Sequence, residues 1–95
     1  MTKQTETMPL AERPAYHLRR LMAGRGLDLE GHQAALGREV WPDVGAEKAR
    51  GRIRNVLRGH WPKPATVEDL ARWFGVYPSE FYAPARKVSL RRAQP

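Results

Sequence analysis

The sequence predicts an all-α protein: a compact domain of four to five helices with flexible N- and C-terminal arms. Fifteen of its eighteen Leu, Ile, Val and Phe residues, with every Trp and Tyr, lie between Tyr16 and Tyr82. Inside that stretch the apolar residues recur at the three- and four-residue spacing of helices. Gly and Pro interrupt the pattern at helix-length intervals. A chain of 95 residues allows one small domain plus arms. The expected division is a flexible leader over 1–13, a domain over 14–82 and a basic tail over 83–95.

Each element has its origin in local chemistry. Pro14 opens the first helix, where its missing N–H costs nothing. Leu18, Leu21 and Met22 share one face, Arg19, Arg20 and Arg25 point away from it, and Gly24 and Gly26 close the segment. Asp28 is the expected cap of a second helix running through Ala34, Ala35 and Leu36 toward Val40. Trp41-Pro42-Asp43 is a break, with Asp43 the expected cap of the third helix. In that helix, residues 46–59, Ala46, Ala49, Ile53, Val56 and Leu57 fall within an arc of about 100°, a buried stripe. Gly59 stops it. A Pro-containing turn, residues 60–65, leads to a fourth helix capped by Thr66, with Val67, Leu70, Ala71 and Phe74 as its stripe. Gly75 suits a left-handed end with Val76 folding back, and Pro78–Tyr82 reads as a last helical turn.

Composition narrows the chemistry. The chain has no Cys, which excludes disulfides and thiolate metal sites. No apolar run approaches a membrane span, and the N-terminal residues lack a signal-peptide stretch, so a cytoplasmic location without membrane contact is expected. Seventeen Lys and Arg against ten Asp and Glu give a net charge of +7, which points to an anionic partner, nucleic acid above all. The charge is localised. The third helix holds +4 and the tail another +4, and the remainder of the chain sums to −1.

The third helix carries the functional constellation. Lys48, Arg50, Arg52, Arg54 and Arg58 stand against a single acid, Glu47. The DNA major groove admits one helix, Arg forks onto guanine O6/N7, and Asn onto adenine N6/N7. Arg54 and Asn55 are therefore the expected base contacts, with Arg52 or Lys48 beside them. Gly51, near the centre of the polar face, lets backbone approach DNA. Glu47 either accepts from cytosine N4 or favours the helix dipole. A solvated basic helix is the bland reading. It is weakened because like charges at i,i+4 cost a few tenths of a kcal/mol per pair without a partner.

Residues 51–82, GRIRNVLRGHWPKPATVEDLARWFGVYPSEFY, resemble the second half of the lambda-repressor/Cro-like (XRE-type) helix-turn-helix family. The Arg58-Gly59 pair ends the recognition helix, and Thr66, Glu68, Leu70, Ala71, Gly75, Val76, Pro78, Glu80, Phe81 and Tyr82 match the family's next helix. Residues 18–37 resemble its first two helices, with Gly26-Leu27 in the customary place. The resemblance implies a transcriptional regulator, a repressor in the first instance, that binds duplex DNA as a homodimer on a pseudo-palindromic operator. It also places Gln33 where the family has a phosphate- or base-contacting Gln. One departure stands out: Arg38–Gly45 lengthens the connection between the second and third helices.

Other features leave alternatives open. Lys63 adds a cation to the turn after the third helix. Arg86 and Lys87 in the tail suit a phosphate-gripping arm or a solubilising tail, and the alternation around Val88 and Leu90 suits a strand pairing across a dimer. Trp41, Trp61 and Trp73 suit core-edge packing, base stacking or a dimer patch. His17, His32 and His60 have no metal spacing and read as surface or edge residues, so no metal or cofactor is expected. No nucleophile elbow or phosphate-cradling loop is present, and an enzyme is not expected. The rival reading is a helix-turn-helix-derived interaction module that binds polymerase or another regulator. The three Trp and the long connection favour it.

Overall fold

The computed structural model describes residues 5–88. In chain order they form strand β1 (Thr5–Thr7), a 3-10 turn (Leu10–Glu12), helix α1 (Arg13–Gly24), α2 (Gln33–Val40), α3 (Ala46–Leu57), α4 (Pro64–Phe74), a second 3-10 turn (Pro78–Tyr82) and strand β2 (Arg86–Val88). The fold class is α-helical: the core is built by the helices and the second 3-10 turn, and the strands form only a short ribbon. Among the described residues no helix is long and apolar enough to cross a membrane.

Each helix buries one stripe. α1 contributes Leu18 and Met22, α2 Leu36, α3 Ala49, Ile53, Val56 and Leu57, and α4 Val67, Leu70, Ala71 and Phe74. Phe81, from the second 3-10 turn, is fully buried among them. α2 and α3 make their closest approach at Gly37. A Cβ there would lie 2.9 Å from the Ala49 carbonyl carbon and 3.0 Å from its oxygen. Gly75 ends α4 at φ 76°, and the Val76 N–H reaches back to the Ala71 carbonyl at 2.9 Å. This is the left-handed helix ending that the Gly-Val pair predicts.

Arg13 and Arg19 of α1, and Arg25 just after it, hold other elements by their carbonyl ends. Arg13 donates to the carbonyls of Met8 and Tyr82, each at 3.0 Å. Arg19 donates to Leu57 at the end of α3 (2.7 Å), and Arg25 to Phe74 at the end of α4 (3.1 Å). A cation at a helix C-terminus satisfies an orphan carbonyl and complements the dipole.

Several boundaries differ from the sequence expectation. Asp28 caps an isolated turn rather than α2. Its carboxylate accepts from Gly31 N–H at 2.7 Å, and its own N–H donates to His32 Nδ1 at 2.7 Å, so regular helix begins only at Gln33. α2 then continues past Gly37 to Val40, which reduces the long connection to residues 41–45. Asp43 caps nothing, because α3 starts from Gly45, two residues beyond it. Ala46 is exposed, since it stands ahead of the packed turn that begins at Ala49. Thr66 is not the cap of α4: Pro64 already occupies the first turn and Lys63 the cap position. His17 is buried rather than at the surface. Its Nε2–H donates to the Ala83 carbonyl (3.0 Å), which leaves Nδ1 to accept from Arg20 Nε (3.3 Å).

β1 and β2 pair antiparallel within the chain, Thr5 with Val88, Glu6 with Lys87 and Thr7 with Arg86. The ribbon is rooted by the buried Met8 and Ala85, joined through Met8 N–H to the Ala85 carbonyl at 2.7 Å. Regular structure in the leader and tail is thus found at Thr5–Thr7, Leu10–Glu12 and Arg86–Val88. The strand that the alternation around Val88 suits pairs, over Arg86–Val88, within the chain. Leu90 and the remainder of the tail lie outside the described residues.

Candidate nucleic-acid interface

The outer face of α3 is set by what the helix buries. At about 100° per residue, the direction opposite Ala49, Ile53, Val56 and Leu57 passes close to Gly51. Glu47, Lys48, Arg54, Asn55 and Arg58 lie within about 60° of Gly51, and Arg50 and Arg52 about 100° to either side. The flanking arginines are engaged by the protein. Arg50 Nη1 lies 3.2 Å from both carboxylate oxygens of Glu47. The Arg52 guanidinium stacks on the Trp41 ring, 5.0 Å from its centroid. Lys48, Arg54, Asn55 and Arg58 make no side-chain hydrogen bond or ion pair with other described residues.

Trp41 anchors that arrangement. Buried at the α2–α3 connection, it donates from Nε1 to Asp69 Oδ2 of α4 at 2.7 Å, and the other Asp69 oxygen accepts from Arg72 at 3.1 Å. The connection, α4 and the Arg52 side chain are thereby tied to one another. Trp73 sits partly buried at the core edge, with Arg25 over its ring at 5.0 Å.

Two clefts flank the α3 face and divide the sequence-predicted residues between them. One, about 530 Å³, is lined by Gln33, Arg50, Arg54 and Arg58, together with Arg19 of α1 and Glu30. The other, about 360 Å³, is lined by Lys48, Arg52, Asn55 and Lys63, with His60 and Trp61. Gly51 stands on the ridge between. Gln33 is the first residue of α2, and Lys63 the cap of α4. Arg86 and Lys87 lie in β2, whose ribbon is rooted at Met8. Met8 shares a hollow of about 320 Å³ with Arg19, Arg58 and Gly59, beside the C-terminal end of α3.

Arg19 and His60 are the side chains that sequence reasoning left out of the site. In the sequence Arg19 is simply off the apolar face of the first helix, and only its bond to Leu57, 38 positions away, brings it to α3. Trp61 is 54% exposed and packs against Tyr82 with ring centroids 5.5 Å apart. Burial, and after it the nearby Glu68 carboxylate, raise the Tyr82 phenol above its ordinary pKa, so it remains a neutral neighbour at physiological pH. Among the described residues no cluster of three His, Asp or Glu is arranged to hold a metal ion.

Gly51 offers a discriminating substitution. The nearest neighbour a Cβ would meet is Arg54 Nη2 at 3.6 Å, an ordinary contact. Gly51→Ala is therefore expected to raise stability by about 0.8–1.0 kcal/mol, the helix-propensity difference, measured by chemical denaturation. If backbone at this ridge meets a ligand closely, the same variant binds more weakly although it is more stable.

Compared with protein-family models, with curated proteins and with solved structures, the chain finds no match.

Proposed function

We propose that the protein is a sequence-specific, duplex-DNA-binding regulator of transcription, of the lambda-repressor/Cro-like helix-turn-helix kind. In this reading α2 and α3 form the helix-turn-helix, α3 enters the major groove, and two copies bind a pseudo-palindromic operator, with repression as the expected outcome. One observation carries the reading: the outward face of α3 presents Lys48, Arg54, Asn55 and Arg58 without intramolecular polar partners among the described residues, around a side-chain-free ridge at Gly51. Such a helix fits the width of the groove, and its donors match the purine edges displayed there. The cations flanking it suit the two phosphate backbones that border the groove.

The test is selection of bound duplexes from a random library, followed by titration of the selected and of random DNA at several salt concentrations. Binding is expected to weaken steeply with salt, and selected DNA to bind more tightly than random. Asn55→Ala and Lys48→Ala are each expected to cost about 1–3 kcal/mol on selected DNA and much less on random DNA. Equal losses on both would make these residues phosphate contacts.

Exposed Trp61, packed on the partly buried Tyr82, and Tyr77, 82% exposed, favour a second reading, a helix-turn-helix-derived module that docks on polymerase or another regulator. Failure to bind any duplex at low salt would leave that reading in place of the first.

A further inference from the structure

We propose that the cleft between α3 and the turn opening α2 is a seat for a phosphoryl anion, with Arg19 of α1 as its outlying arm. Four arginines from two helices line it, Arg19, Arg50, Arg54 and Arg58. Two acids oppose them: Glu47 holds Arg50, and Glu30 stands in the lining. The cations outside ion pairs are therefore Arg19, Arg54 and Arg58, against Glu30 in this cleft and Glu12, which lines the adjoining hollow with Arg19 and Arg58. Like charges gathered this way repel, and an anion among them removes that cost.

Arg19 is preorganised for the task. Its Nη2 is fixed to the Leu57 carbonyl at 2.7 Å, which holds the guanidinium at the C-terminal end of α3. A guanidinium has five N–H donors, so others remain for phosphate oxygens, and a tethered side chain loses less freedom on binding. The Gln33 side chain, at the first position of α2, adds a neutral donor to the same cleft.

The seat rests on the DNA reading only for the source of its ligand. On duplex DNA the anion is a backbone phosphate. Arg54 and Arg58 then position α3 along the groove, and base reading falls to Asn55 and Lys48 on the far side of the Gly51 ridge. This division departs from the sequence expectation, in which Arg54 reads a base.

Two measurements test it. The first is the salt slope of duplex binding for the wild type, Arg19→Gln and Arg58→Ala. Arg58 makes no intramolecular polar side-chain contact among the described residues, so its variant keeps the fold even if loss of the Arg19–Leu57 bond does not. Each substitution is expected to lower the slope by about 0.9, with equal affinity loss on selected and random DNA. The second is titration of the free protein with inorganic phosphate, read by NMR at the arginine Nε–H groups. Shifts are expected at Arg19, Arg54 and Arg58 and not at Arg72, which is exposed on α4 and outside the cleft. Unchanged slopes with shifts confined to these three identify a seat for free phosphate. Losses restricted to selected DNA, or unchanged slopes with shifts that include Arg72 equally, overturn the proposal. If the wild type binds no duplex, the DNA reading fails and the phosphate titration alone decides the seat.

Discussion

Truncating Phe81 to alanine is expected to cost the domain about 3–5 kcal/mol, the largest loss of any single change considered. Phe81 is fully buried and belongs to a five-residue 3-10 turn, which has little stability of its own. The turn is held by what its ring packs against and by its bonds to α1. Arg13 donates to the Tyr82 carbonyl, and Arg20 meets Glu80 at 2.9 Å across an exposed pair of modest worth. Removing the ring leaves a cavity between α1 and α4 that short 3-10 backbone cannot close. Since domains are typically stable by about 5–15 kcal/mol, the variant stands close to global unfolding. Urea denaturation followed by circular dichroism reads the loss. A loss below about 1 kcal/mol would contradict the packing of this turn into the core.

Gly37→Ala is expected to be the second largest loss of folding stability, and its sign opposes that of Gly51→Ala. Both replace a helical glycine, which alone favours alanine by about 0.8–1.0 kcal/mol. At Gly37, however, the new methyl would meet the Ala49 backbone at 2.9 and 3.0 Å, and backbone cannot swing aside as a side-chain tip does. Overpacking of this kind costs about 1–3 kcal/mol, at the upper end when the obstacle is main chain. The expected net loss is about 1–2 kcal/mol, or roughly 5–15 °C in melting temperature. Because Ala49 belongs to α3, the relief also tilts α3 against α2. On the proposed DNA-binding reading, duplex affinity is then expected to fall by more than the fraction unfolded explains. A variant as stable as the parent would contradict the close crossing of α2 and α3.

These two positions show which parts of the fold were legible in the sequence. The stripe of α4 and its Gly75-Val76 ending are local patterns within one dozen residues, and both appear in the structure as expected. So does most of the α3 stripe. Helix starts were less legible because several capping signals competed. Asp28 does accept an N–H, but spends it on a separate turn, and Pro64 starts α4 before Thr66 can. Contacts between distant segments left no sequence signal at all. The bond from Trp41 to Asp69, the burial of His17 under Ala83 and the pairing of Thr5–Thr7 with Arg86–Val88 depend on where the chain returns, not on neighbouring residues. Arg19 belongs to the same class. The helical pattern turns Arg19 and Arg25 away from the apolar face without naming a partner, whereas Arg13, Arg19 and Arg25 each hold a carbonyl at the end of another element.

The measurement that tests the central claim most directly is protection of guanine N7 from dimethyl sulfate on a selected duplex. N7 lies on the major-groove edge, where the outer face of α3 is proposed to sit. The prediction is protection of guanines in two short clusters one helical turn apart, as two copies on a pseudo-palindromic site require. That protection should weaken in Lys48→Ala while random-DNA binding persists. Tight binding to the selected duplex with every guanine N7 left fully reactive would contradict the placement of α3 in the major groove.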